Sequence, residues 1–248
     1  MPGDQATYRR WTGAATVRAG VVHAEMADTH HHLALDLVHD GTAVLAALPK
    51  GHRLPWTTCV VGVRGVARLA GLSLEEAGDL RRWAADRSGH CTHLLDLALL
   101  AVRHALDPAP LEYEVGVSPP AGRRRVAWLR RDGTPLLEWR LDGTAITGPP
   151  PWSGVDIAAP GFGSLLRADF PADVAEAAIV LRRACHIAGG DAVDLDRVSV
   201  AGDIAIVDGS CHTLMPDVAS RAHRIPGASA GLSALHVNRS VSGERHGE

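Results

Sequence analysis

Five short stretches of the chain carry side chains that bind metals or attack carbonyls. They are His30-His31-His32, Cys59, His90-Cys91-Thr92-His93, Cys185-His186 and Cys211-His212. Thiolate and imidazole are the ligands that zinc and iron select. Residues two apart on a strand share a face, so an extended segment puts His30 and His32 together and turns His31 away. Residues three apart on a helix are neighbours, so His90 and His93 would share a face. The four cysteines contain no Cys-x-x-Cys pair, and the spacings match no zinc finger or ribbon. The ligand set expected is His31, His32, Cys59, Cys91 and His93, around zinc or iron. An open position on such an ion polarises a substrate or activates water.

A second chemistry needs Cys91 alone. Its place at the start of a helix favours the thiolate, through unpaired N–H groups and the helix dipole. His90 or His93 beside it supplies a base, and Cys91 with His93 is the expected catalytic pair. The plain alternative stands beside both readings: cysteine and histidine are often simply buried and hydrogen-bonded. Cys185, inside an apolar helical stripe, is read that way. Cys211 and His212 follow a glycine turn in a loop and are read as the lip of a site, since loops carry function more often than cores do. Arg182 suits an anion at the same lip, although a solvated or salt-bridged role is the plainer reading.

Other chemistries find no support. The chain has no Gly-x-x-x-x-Gly-Lys phosphate loop, no Gly-x-Gly-x-x-Gly after a strand, no Gly-x-Ser-x-Gly elbow and no His-Glu-x-x-His. No nucleotide cofactor is indicated.

The elements that must position these residues read as follows. Leu33, Leu35 and Leu37 alternate with His32, Ala34 and Asp36, so 32–38 is a strand. Asp40-Gly41 closes a tight hairpin, and 43–48 returns as its partner. Ser73-Leu74-Glu75-Glu76 is a capping box that opens a helix running to about 87. The 91–106 segment carries Leu94, Leu97 and Ala101 on one stripe and reads as a second helix. Residues 111–146 alternate through Asp132-Gly133 and Asp142-Gly143 turns, as in an antiparallel meander. The stretch 148–165 reads as loop and is long enough to roof a pocket. Pro171 opens a helix over 172–188, and a short strand is expected at 204–207. The fold class is therefore α+β: antiparallel hairpins and a meander with packed helices. Residues 1–15 read as a flexible arm, 16–225 as one domain with sub-halves 16–110 and 111–225, and 226–248 as a disordered tail.

Composition sets outer limits. The chain has 248 residues, 46% hydrophobic and 21% charged, with a net charge of −3. That is enough apolar chain for a packed core, and the charge argues against a general nucleic-acid surface. No run of about 18 apolar residues suggests a membrane span. No apolar stretch with a cleavage site opens the chain, so the thiols are expected to be reduced in the cytoplasm.

A set of motifs resembles one bacterial family. His31-His32, Pro55-Trp56-Thr57-Thr58-Cys59, Cys91-Thr92-His93-Leu94, Leu181-Arg182-Arg183-Ala184-Cys185 and Gly209-Ser210-Cys211-His212-Thr213 resemble the uncharacterised family called domain of unknown function 2889, over residues 15–225. The chain departs from it at Leu214-Met215-Pro216, where the family leads one to expect an aromatic and a Gln-Pro. The resemblance implies no activity. The order of a hairpin, a cysteine, helices and a second cysteine at a helix start also resembles iron–sulfur scaffold and sulfur-acceptor proteins, with Cys59 and Cys91 in the thiol positions. The functional expectation is a metal- or thiolate-dependent enzyme acting on a small molecule. The alternatives are a metal, iron–sulfur or sulfur carrier that works with a protein partner, and a non-catalytic interaction domain.

Overall fold

The computed structural model describes residues 6–78, 87–189, 194–204 and 209–229. Its strands are β1 (Tyr8–Arg18), β2 (Val21–Asp28), β3 (His32–His39), β4 (Val44–Arg53), β5 (Leu111–Val117), β6 (Arg124–Arg131), β7 (Thr134–Asp142) and β8 (Ala145–Gly148). They run in the antiparallel order β4-β3-β2-β1-β5-β6-β7-β8. The helices among the described residues are α1 (Cys59–Arg64), α2 (Leu74–Ala77), α3 (Thr92–Arg103), α4 (Phe162–Asp169), α5 (Ala172–Ile187) and α6 (Pro216–Ala219). The fold is α+β.

By its internal contacts the chain divides into two units. One comprises Met1–Trp11 with Glu112–Asp194, the other Thr12–Leu111 with Leu195–Glu248. The division falls between Leu111 and Glu112. The C-terminal segment, however, belongs with the first half of the sequence.

In the unit that holds 12–111, β2, β3 and β4 form two successive hairpins. The register pairs Ala24 with Leu35 and Met26 with Leu33. At the β3–β4 turn Gly41 takes φ +93°, a left-handed conformation that only glycine adopts without strain. The Asp40 carboxylate accepts the Thr42 and Ala43 amides, both at 2.8 Å. The Asp-Gly pair makes this turn because each residue supplies one of those two features. Leu33, Leu35 and Leu37 then face one side and are fully buried. Helix α3 packs on β2 and β3 and contributes Leu94, Leu97, Ala98 and Ala101, which are also fully buried. Their spacing of three and four residues makes a continuous apolar stripe on a 3.6-residue helix. Each buried leucine contributes about 1.5–3 kcal/mol.

The C-terminal segment builds a smaller core in the same unit. Trp56, Cys59, Ala201, Ala219 and Ala222 are buried together, with Leu54, Leu195 and Leu214 against them. Arg224 closes it: it donates to Asp196 Oδ1 at 2.8 Å and to the Pro55 carbonyl at 3.2 Å, and lies over the Trp56 ring.

In the other unit β5 to β8 form the expected meander, with Asp132 and Gly133 at φ +50° and +78° in the β6–β7 turn. Helix α5 packs on β6 and β7. The Tyr113 hydroxyl donates to the buried Glu176 carboxylate at 2.8 Å. Trp139 is fully buried between Trp152 and Phe162.

Several expectations are corrected. Residues 8–15 are part of β1, not an arm. Tyr8, Arg10 and Thr12 are the inward positions, and two polar residues there hide the alternation. Helix α4 begins inside the stretch read as loop, at Phe162, and runs on to Asp169. The capping box at Ser73 is formed, with Glu76 N to Ser73 Oγ at 3.1 Å. The rest of the expected helix, at 79–86, lies outside the described residues. So do 205–207 of the expected strand and the tail from 230.

Candidate functional site

The β2–β3 turn builds the first cluster. The Asp28 amide donates to the His31 carbonyl at 2.9 Å. Asp28 Oδ1 in turn accepts the amides of His30 at 2.8 Å and His31 at 2.7 Å. A short acidic side chain capping its own turn is what the Asp-x-x-His sequence favours. Arg53, on β4, donates to the carbonyls of both Asp28 and His31. The carboxylate is thus fixed by backbone on a fully buried residue.

Two imidazoles meet it. His31 Nδ1 lies 3.1 Å from Asp28 Oδ1. His93, in the first turn of α3, brings Nε2 to 4.0 Å from Asp28 Oδ2. The two rings stack with centroids 4.1 Å apart. One ligand atom from each of Asp28, His31 and His93 falls within 4.8 Å of the others. The His31 and His93 side chains keep 12% and 14% of their surface exposed, while Asp28 and the Nε2 atom of His93 are buried. Two histidines and one carboxylate suit zinc or ferrous iron.

Cysteines stand at the starts of α1 and α3 and just before the 212–214 turn. Cys91 is the N-cap of α3, and its sulfur lies 4.0 Å from His93 Nδ1. Cys59 is the first residue of α1, and the Thr213 hydroxyl donates to its sulfur at 3.5 Å. Cys211 precedes a short turn at His212–Leu214. Burial pushes the Cys59 thiol up to about 11, and the nearby Cys211 adds to that although the Thr213 bond opposes it. Burial also raises Cys91, with Cys211 and Cys59 pushing the same way. The amides of His93 and Leu94 favour the Cys91 anion but do not overcome burial. The lowered pKa expected from a helix start is therefore not realised: desolvation outweighs the dipole.

The other expected residues lie apart from Asp28, His31 and His93. His32 turns to the opposite side of β3, bonds Glu25 Oε1 at 2.5 Å and faces the His52 ring. His30 and His31 precede β3, so the strand rule that separated them does not apply. His90 is buried before the N-cap and so does not share a helix face with His93. Its carbonyl accepts the His212 amide at 3.1 Å, and His212 Nδ1 donates to the Ser88 carbonyl at 2.6 Å. Arg182 and Cys185 are in the other unit. Arg182 lies over the Phe162 ring and donates to the Ile157 carbonyl. Cys185 is buried in α5, and that burial pushes it up to about 12.

Asp28 escaped the sequence reading. A carboxylate in a turn is ordinary, and only its place three residues before His31 marks it.

No helix among the described residues is long and apolar enough to cross a membrane. Compared with known proteins, the chain matches no family model and no curated protein.

Proposed function

We propose that this chain is a metal-dependent enzyme acting on a small molecule, with zinc or ferrous iron held by Asp28, His31 and His93. The observation that carries the reading is the convergence of these three ligand atoms on a buried carboxylate. Three protein ligands leave positions on the ion where it would polarise a substrate or lower the pKa of bound water. The chain's own residues set the geometry. The His30 and His31 amides hold the Asp28 carboxylate and Arg53 holds the Asp28 and His31 carbonyls, so the carboxylate does not have to reorganise. Stacking on His31 orients the His93 ring. A cytoplasmic setting belongs to the same proposal, since reduced thiols lie beside the ligands. A carrier that passes its metal to a protein partner would use the same ligands, and turnover separates the two.

The test is elemental analysis by plasma mass spectrometry on untagged chain, beside Asp28→Asn and His31→Ala variants. About one equivalent of zinc or iron that is lost in both folded variants is expected. Wild-type chain that takes up no metal at this cluster after anaerobic loading, or variants that keep it, would overturn the reading.

One observation favours a second reading. Cys91 Sγ, His93 and Asp28 stand in the order thiol–imidazole–carboxylate, with both gaps at 4.0 Å. His93 would take the thiol proton as Cys91 attacks an acyl carbon, and Asp28 would hold the ring. Iodoacetamide labelling of Cys91 separates the readings. A relay predicts labelling that slows in His93→Gln without any metal present.

A further inference from the structure

Arg53 closes β4 and reaches across to the β2–β3 turn. Its Nη2 donates to the Asp28 carbonyl and, at 3.0 Å, to the His31 carbonyl. Both hydrogens of Nη2 are spent on these bonds. They fix the guanidinium beside the turn that supplies Asp28 and His31, two of the ligand residues. The rest of the group is unspent. Nε is buried and has no acceptor among the described residues, and Nη1 has none there either, although it is not buried. No carboxylate pairs with Arg53 among the described residues. Asp28 is the acid whose charge acts on it, but Asp28 Oδ1 is taken up by the His30 and His31 amides and by His31 Nδ1. Clamping the turn therefore uses Nη2 alone and leaves Nη1 for an acceptor that the chain itself does not provide.

We propose that the substrate of this site is a small oxyanion, a carboxylate or a phosphate, with one oxygen on the open position of the ion and another on Arg53 Nη1. The proposal rests on the metal reading above and adds the substrate class to it. Carboxylate and phosphate are the acceptors that match a guanidinium, in charge and in planar geometry. The charge of the site points the same way. With a divalent ion on Asp28, His31 and His93 and both imidazoles neutral, the ion and Arg53 outweigh the single carboxylate, and the site is left positive. The donor is also fixed in advance. Nη2 is held by two backbone carbonyls, so the guanidinium loses little freedom when an anion arrives.

The test uses metal-free, full-length chain loaded anaerobically with Co2+, with the loading checked by elemental analysis. Cobalt on histidine and carboxylate ligands has visible d–d bands that shift when an anion replaces water on the ion. Inorganic phosphate and acetate are titrated separately into wild type, Arg53→Met and Arg53→Lys. Wild type should bind at least one of the two anions saturably, and the one bound more tightly names the substrate as a phosphate or a carboxylate. Arg53→Met should still bind cobalt but hold that anion about tenfold or more weakly, the loss expected for one charge-assisted hydrogen bond. Arg53→Lys should recover part of the loss, because the charge returns without the planar fork. Cobalt-loaded wild type that binds neither anion overturns the proposal and leaves the metal reading standing. So does an Arg53→Met variant that binds the anion as tightly as wild type. Wild type that takes up no cobalt overturns both. If the two variants stay folded by circular dichroism yet lose the cobalt itself, Arg53 serves only to position the turn, and the proposal is overturned.

Discussion

Gly65 offers a strict test of how the cysteine-bearing segments are packed. It follows α1 with ordinary helical dihedrals, φ −60° and ψ −28°, so alanine is conformationally acceptable there. Helix propensity alone would favour the change by up to about 1 kcal/mol. Space decides otherwise. An alanine Cβ would lie 1.9 Å from the Gly89 carbonyl oxygen and 2.9 Å from His90 Cα, where real Cβ contacts stay beyond 3.0 Å. The obstructing atoms are backbone, so 89–90 must shift by roughly 1 Å to relieve the contact, and they lead directly into Cys91. Overpacking of a rigid site costs about 1–3 kcal/mol and more when backbone must move. A net loss of about 2–3 kcal/mol is expected for Gly65→Ala, as the packing term exceeds the propensity gain. In thermal or urea unfolding this lowers the midpoint clearly, by roughly 4–10 °C for a chain of this size. The matched control is Gly161→Ala, which has nothing within 4 Å and φ −88°, and should unfold like wild type. A Gly65→Ala protein as stable as wild type would refute the close approach of α1 to the 89–91 segment.

Other perturbations are read more simply. Glu25 bonds His23 and His32 and is drawn from 4.5 to about 2, chiefly by His23, while His23 is raised from 6.5, chiefly by Glu25. The pair's stability is present where both groups are charged even in the unfolded chain, between pH 4.5 and 6.5. It is lost as pH falls toward 2 through the depressed Glu25 value, and again as pH rises through the raised His23 value. At face value the Glu25 shift amounts to roughly 3 kcal/mol, but solvent screening at this part-exposed pair leaves about 1 kcal/mol. Urea midpoints of Glu25→Gln and wild type should therefore differ most inside that window, and a pH-independent difference would count against the pairing. Tyr113→Phe removes one hydrogen bond from the buried Glu176 carboxylate and should cost about 1–3 kcal/mol, measurable by the same melts. Leu97→Ala removes a fully buried contact of α3 and should cost about 2–5 kcal/mol; a loss under 1 kcal/mol would show that α3 is loosely packed.

Local pattern determined much of this protein. The leucine alternation at 33–37, the Asp-Gly turns, the Ser73 capping box and the apolar stripe of α3 each act over a few residues, and each stands where the residues call for it. Cys91 and His93 could be named from their place at a helix start, because that place depends only on neighbouring residues. Tertiary structure alone decided the rest. Asp28 became a partner of His93 because α3 packs on β2 and β3, across 65 residues of chain that no local rule spans. His32, the first residue of β3, meets Glu25 because the β2–β3 hairpin brings the two strands together. The 210–213 loop reached the starts of α1 and α3 because the C-terminal segment folds back onto the Trp56 core. Burial then set the thiols against the helix dipole and won. Desolvation depends on everything packed around a group, and no stretch of sequence contains that information by itself.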